Sequence, residues 1–151
     1  VFFEERRKLK EKAKKEIDFT IVATDHSEDA IDISRKNAKT AGVDHLIDFS
    51  VCDFADTEVP EGSGIVIFNP EYGERLGVHT KLEATYKRIG DFMKQKCKGY
   101  RGYIFTGNPD LAKKIGLRAS RRIEFYNGKL DCRLLEYELY EGSKREPKPE
   151  P

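Results

Sequence analysis

Long apolar runs are missing from this 151-residue chain. Its longer ones, such as Ile65-Val66-Ile67-Phe68, hold only a few residues, whereas a membrane-spanning helix needs about 20. The sequence therefore offers no transmembrane helix and predicts no membrane partner. Net charge is missing too: 28 Lys and Arg stand against 27 Asp and Glu, leaving +1. That balance excludes a polycation that coats nucleic acid through bulk charge, so any such contact must come from a local patch. Cysteine is scarce, and Cys52, Cys97 and Cys132 are widely spaced with no CxxC pair. They predict free thiols in a reducing, cytoplasmic compartment, most simply as small buried side chains. His26, His45 and His79 show neither metal-ligand spacing nor a paired nucleophile, so no metal is expected and no Ser-His-Asp or Cys-His chemistry is suggested. No internal repeat is visible.

What is present is a charged but globular composition, with length for one domain and a real core. Residues 3–15 read as a surface helix, with seven Lys or Arg against three Glu over residues 1–15. Such a run is ordinarily a solvated face, and an RNA-facing strip is the sharper alternative. Thr20 to Thr24 reads as a β-branched strand ended by Asp25. Ser27 offers an N-cap, and Glu28 and Asp29 put acids at the positive end of a helix carrying Ala30, Ile33, Ala38 and Ala41. Gly42 stops that helix. A strand over Leu46 to Val51 ends at Cys52-Asp53, and a polar loop follows. Ile65 to Phe68 is continuously apolar, as in a strand buried on both faces.

The second half continues the alternation. A capping box, Thr80-x-x-Glu83, opens a helix with Leu82, Tyr86, Ile89, Met93 and Cys97 on one stripe. Tyr103 to Thr106 is a strand, and Asn108-Pro109-Asp110 starts a short helix with Pro at its first position. Ser120 to Tyr126 and Leu130 to Tyr140 form a hairpin around Asn127-Gly128. Residues 142–151, rich in Pro and charge, read as a disordered tail. Strands alternating with helices predict an α/β fold, a mostly parallel sheet with an antiparallel hairpin on its last edge.

Ligands of such sheets sit beyond the carboxyl ends of the strands. Asp25, Asp53 and Asn69 each follow the apolar run of a strand, which would line them along one rim. Singly, each has a bland explanation as a helix cap, a strand-ending turn or a plain Asn-Pro turn. Together they point to a site. A carboxylate just past a strand accepts hydrogen bonds from vicinal ribose hydroxyls, which suits Asp25. A second carboxylate accepts from an adenine amine, which suits Asp53 with Phe54 as apolar wall. The Asn69-Pro70-Glu71-Tyr72 turn offers an amide oxygen, a carbonyl and an aromatic face. Those parts grip a planar base bearing an amino group, with stacking contributing about 1–3 kcal/mol. A base treated this way must first leave its stack.

Asn69-Pro70-Glu71-Tyr72-Gly73-Glu74-Arg75-Leu76-Gly77 resembles the Asn-Pro-Pro-Tyr-Gly-Glu-Arg motif of S-adenosylmethionine-dependent amino methyltransferases. More closely it resembles bacterial RNA guanine-N2 methyltransferases with an N-terminal THUMP domain, a family often labelled adenine-N6 DNA methylases. Ala23-Thr24-Asp25 with Ala30-Ile31 and Asn37-Ala38-x-x-Ala41-Gly42-Val43 is similar to that family's second strand and helix. Gly107-Asn108-Pro109-Asp110-Leu111-Ala112 and Tyr126-Asn127-Gly128-x-Leu130-Asp131-Cys132-Arg133 are similar to its late strand–helix junction and closing hairpin. The likeness spans nearly all of residues 20–140. It implies a Rossmann-like class I methyltransferase sheet, a partial catalytic domain over residues 1–141, and S-adenosylmethionine as cofactor. It implies that Asp25 binds the donor's ribose and Asp53 its adenine amine. His26 and Phe54 would line the adenine, and Asn69 would lie against the donor as well. Asn69, Pro70 and Tyr72 would hold the target base, and Arg75 would bind phosphate or brace its loop.

Two departures qualify the resemblance. Glu71 stands where the commoner motif has Pro, and no Gly-x-Gly precedes Asp25. The family's first strand, central in its sheet, and its THUMP domain are also without counterpart here. The implied picture is a C-terminal piece of a longer enzyme whose N-terminal part is its first partner. By itself this piece is expected to be inactive and to bind the donor poorly. The implied reaction is methyl transfer to an exocyclic base amine in RNA, guanine N2 of ribosomal RNA foremost. The alternatives are adenine-N6 methylation of DNA and a non-catalytic binding or assembly module. A basic run of Lys113, Lys114, Arg118, Arg121 and Arg122 is a further RNA contact or a solvated face. A dehydrogenase fits the acid after the second strand but not Asn-Pro-x-Tyr.

Overall fold

The predicted alternation of helices and strands is realised in the computed structural model, which describes residues 1–72 and 79–140. In chain order these are α1 (Phe2–Lys12), β1 (Ile21–Asp25), α2 (Glu28–Ala41), β2 (Ile47–Val51), β3 (Ile65–Phe68), α3 (His79–Lys96), β4 (Arg101–Thr106), α4 (Pro109–Lys114), β5 (Arg121–Asn127) and β6 (Leu130–Glu138). Single 3-10 turns at Asp44–Leu46 and Phe54–Asp56 flank β2. The chain divides into two compact units, Val1–Pro60 and Glu61–Pro151. The hydrogen-bonded strands correspondingly form two sheets, β1-β2 and β3-β4-β6-β5. The expected tail falls outside the described residues.

In the first unit β1 and β2 pair in parallel, Asp25 opposite Val51, and α2 packs on them. Ser27 caps α2 by accepting from the Ala30 N–H at 3.3 Å. Gly42 closes it in the left-handed region at φ 75°, where a side chain would be strained. The buried face of α2 differs from the predicted one. Ile31 and Ala38, seven residues apart, face the sheet, whereas Ile33 turns outward and is exposed. A period of 3.6 puts positions 31 and 38 on one stripe and position 33 well off it. This unit's core is thin, and α1 buries nothing, in keeping with a surface helix.

The second unit holds most of the core. α3 covers its sheet with Leu82, Tyr86, Ile89, Phe92, Met93 and Cys97, all buried, the stripe its spacing predicts plus Phe92. Leu111 and Ile115 of the α4 segment are fully buried too. Each such Leu or Ile contributes about 1.5–3 kcal/mol. α3 starts at His79, so Thr80 lies inside its first turn and not at the cap position the capping box implies. Glu83 instead accepts an ion pair from Lys114 of α4 at 3.2 Å. β3 pairs in parallel with β4, and β4 and β5 both pair antiparallel with β6. Among the described strands β3 thus stands at the edge of its sheet. Its Phe68 stacks edge-on against Phe92 of α3, while Ile65 and Ile67 on the opposite side are 69% and 66% exposed. The expectation of a strand buried on both faces does not hold among the described residues, where these two side chains stay exposed.

The hairpin also departs from its signal. β5 runs through Asn127, which pairs with Leu130, so the two-residue turn is Gly128-Lys129. Gly128 alone supplies the positive φ, 62°. Asn127 is strand, and its side chain is not spent on the turn.

Candidate active site

Asp25 is the last residue of β1, and its backbone carbonyl accepts from Cys52 N–H at 3.0 Å across the sheet. Its Oδ1 accepts from the Ser27 N–H at 2.8 Å, which fixes the side chain over the start of α2. His26 Nδ1 lies 3.6 Å from the same oxygen with its ring 88% exposed. Asp53 follows β2 and caps the Phe54–Asp56 turn, its Oδ1 accepting from Ala55 N–H at 2.9 Å. A hydroxyl pair, Thr24 and Thr57 at 2.8 Å, ties the end of β1 to the segment after Asp53. Both acids therefore stand at the carboxyl end of the same parallel pair. Each makes the turn bond that the bland reading assigns. A carboxylate has about four lone-pair sites, so that bond leaves ligand chemistry open. Phe54 is half-buried beside Asp53.

In the second unit Asn69 and Pro70 follow β3, with Asn69 exposed and Pro70 partly covered. Glu71 is exposed and Tyr72 is half-buried. The Tyr72 ring meets Phe105 of β4 edge-on at 6.5 Å, and Phe105 meets Phe125 of β5 at 6.0 Å. The Tyr72 hydroxyl accepts from Asn127 Nδ2 at 3.2 Å. Next to it, Gly107 follows β4, where a side chain would press on two neighbouring side chains. A Cβ there would sit 2.9 Å from Leu130 Cδ2 and 3.2 Å from Tyr72 Cδ2. Behind Gly107, the Thr106 hydroxyl is 2.7 Å from the Tyr86 hydroxyl and accepts from Asn108 N–H at 3.1 Å. Burial, and to a lesser degree the proximity of Tyr72, pushes the Tyr86 phenol up, against the lowering bond from Thr106. Asn108 caps α4 by accepting from both Asp110 and Leu111 N–H groups at 3.1 and 3.0 Å.

Asn69, Pro70, Tyr72 and Gly107 thus lie past the carboxyl ends of the parallel neighbours β3 and β4, with Asn127 reaching Tyr72 from the hairpin. Gly107 and Asn127 carry only family likeness and turn chemistry in the sequence. No local signal shows that Asn127 reaches a residue 55 positions away. The motif segment from Gly73 through Gly77, with Arg75, lies outside the described residues. The basic run is partly neutralised by one acid of its own helix and two from other elements. Lys113 pairs with Asp110, Lys114 with Glu83, and Arg121 with the buried Glu136.

Parallel strands with ligand-type polar residues past their carboxyl ends, closed by an antiparallel hairpin, define a Rossmann-like class I methyltransferase fold. Comparison with solved structures agrees. A "possible methylase" from Clostridium difficile 630 superposes with TM-score 0.80 at 30% identity, over 95% of this chain and 38% of that one. A methyltransferase complexed with SAH gives TM-score 0.80 at 26% identity, over 93% of this chain and 37% of that one. The chain belongs to the UPF0020 family, the RMKL-like methyltransferase domain, whose model matches residues 1–136. Among its relatives is a ribosomal RNA large subunit methyltransferase K/L from Syntrophotalea carbinolica. It is 39% identical over 125 residues, 80% of this chain and 18% of the relative. Another protein of that name, from Chromohalobacter salexigens, is 39% identical over 133 residues, 86% of this chain and 17% of the relative. The chain spans about a sixth of the length of these two relatives.

Proposed function

We propose that this chain is part of an enzyme that methylates the exocyclic amine of a base in RNA, guanine N2 of ribosomal RNA foremost, with S-adenosylmethionine as donor. The observation that carries the reading is the Asn69-Pro70-Glu71-Tyr72 turn past β3, with its tyrosine half-exposed and its ring held against Phe105. The names of the RNA-methylating relatives support the substrate class.

The residues present fit the adenosine half of the donor. Asp25 and Asp53 are acceptors, and the donor's ribose hydroxyls and adenine amine are the matching hydrogen-bond donors. Asp25 would hold the ribose and Asp53 the amine, with Phe54 and His26 against the ring. No Gly-x-Gly precedes Asp25 to approach the methionine half. We therefore assign that task to an N-terminal part of the same enzyme, and expect the 151 residues alone to be inactive. When bound, the donor supplies an electrophilic methyl group. Asn69 Oδ1 and the Pro70 carbonyl accept the two amino hydrogens of the base. This turns the nitrogen lone pair out of conjugation and sharpens its nucleophilicity. As the N–CH3 bond forms, the donor's sulfonium S–CH3 bond would break, its electron pair staying on the sulfur of the departing thioether, and the surplus amino proton would pass to solvent water. Tyr72 stacks on the base, and catalysis rests on positioning and polarisation.

The test is incubation of the full-length protein with methyl-labelled donor and ribosomal RNA or DNA, followed by nucleoside analysis. Label in N2-methylguanosine is expected. Label in N6-methyldeoxyadenosine of DNA favours the second reading, which the name of a neighbour from Listeria monocytogenes, a predicted N6-adenine-specific DNA methylase, supports. No label in either refutes both. Asn69→Ala should lower kcat by about a hundredfold. Asp25→Asn should weaken donor binding about tenfold or more. Calorimetric titration of the isolated 151 residues should show no stoichiometric micromolar isotherm.

A further inference from the structure

We infer that Asn127, at the end of β5, is a positioning residue that sets the Tyr72 ring for base stacking; the inference rests on the role proposed for Tyr72. Three independent features converge on that ring. The Asn127 amide donates to the Tyr72 hydroxyl at 3.2 Å, holding the far end of the side chain. Phe105 meets the ring edge-on and fixes one side of it. Gly107 leaves the space beside Cδ2 that any larger residue would fill.

The turn does not need an asparagine at position 127. Among the described residues every positive φ belongs to a glycine, and Gly128 supplies the one this hairpin requires. An asparagine in a strand lies against its own propensity, so the side chain's contact with Tyr72 is the feature that accounts for it. Because Asn127 and Leu130 are directly paired, they point to the same side of the hairpin. Leu130 accordingly approaches the same Gly107 that Tyr72 does. The hairpin is thereby coupled to the Asn-Pro-Glu-Tyr turn. A tyrosine free to rotate would stack in many orientations; one tethered at its hydroxyl presents one face. Asn127 itself touches no reacting atom in this role.

The test measures kcat/KM for the nucleic-acid substrate, and KM for the methyl donor, in the full-length protein. Asn127→Ala removes the tether and should lower kcat/KM for nucleic acid about three- to tenfold, the net worth of one hydrogen bond. KM for the donor should be unchanged, a split between the two substrates that a merely structural residue would not give, and the unfolding midpoint should fall by no more than the loss of one exposed hydrogen bond allows. Tyr72→Phe keeps the ring and removes the acceptor. It should lose a similar factor, and adding Asn127→Ala to it should cost nothing more. Asn127→Asp should retain activity, because the phenol can donate to the carboxylate. An unaltered Asn127→Ala enzyme, additive losses in the double variant, or an equal rise in donor KM each overturns the brace. Tyr72→Ala separates the two levels. If it leaves methylation intact, the stacking role falls and the brace with it. If it abolishes methylation while Asn127→Ala changes nothing, only the brace falls.

Discussion

Replacing Gly90 by alanine probes the packing of α3 against the end of α4. Gly90 sits inside α3, where glycine costs a helix about 1 kcal/mol relative to alanine. Its presence is explained by what lies against it. A Cβ at that position would stand 1.9 Å from the Ile115 carbonyl oxygen, 2.8 Å from its carbonyl carbon and 3.2 Å from its Cα. These are backbone atoms at the end of α4, so no side-chain rotation relieves the clash. The two segments must separate by about 1 Å, since real Cβ atoms essentially never approach other heavy atoms within 3.0 Å. Separation opens the sites of Ile115 and Leu111, both fully buried. Overpacking typically costs about 1–3 kcal/mol, and partial loss of one buried Ile adds about 2. After the helix-propensity gain, Gly90→Ala should destabilise the second unit by about 2–4 kcal/mol. With a urea m-value of about 1–2 kcal/mol/M, the midpoint followed by circular dichroism falls by roughly 1–3 M. An unchanged or raised midpoint would refute the packing argument, because propensity alone predicts stabilisation.

Three other outcomes follow from the same geometry. Gly107→Ala meets only side-chain ends, Leu130 and Tyr72. It should cost under about 1 kcal/mol in a thermal melt yet slow methylation of nucleic acid in the full-length protein; equal losses in both would contradict it. Burial pushes the Cys97 thiol up from 9.0 to about 11 and the Tyr137 phenol up from 10.0 to about 12. Between those values the unfolded chain has released protons that the folded chain keeps. Stability should therefore hold below pH 9 and fall as pH rises from 9 towards 12. The Cys97 share is about 2–3 kcal/mol by pH 11; urea midpoints across that range, with Cys97→Ala lacking the first part of the slope, check the sign. Glu136 is buried with Arg101 and Arg121 each 3.6 Å away, both largely exposed. Glu136→Gln should lower stability by about 1 kcal/mol because water can take up the arginines; a loss well beyond that in urea titration would show them to be poorly hydrated.

By itself the chain's sequence determined the element order, the stripe of α3 and the polar strand ends. Each is set within a short window: a period of 3.6 or 2, a cap, a β-branched run. Asp25, Asp53 and the Asn69 turn were legible for the same reason, since a residue ending an apolar run declares its place on a strand. Which face of α2 is buried was less legible, because Ala30 and Ile33 are as apolar as Ile31 and Ala38. Tertiary structure alone decided that, among the described strands, β3 stands at a sheet edge with Ile65 and Ile67 exposed. An apolar run gives the same signal whether or not a neighbour covers it. Only the fold, likewise, brings Asn127 and Gly107 to Tyr72. Strand pairing closes long sequence distances, and a hydrogen bond across 55 residues leaves no periodicity to read.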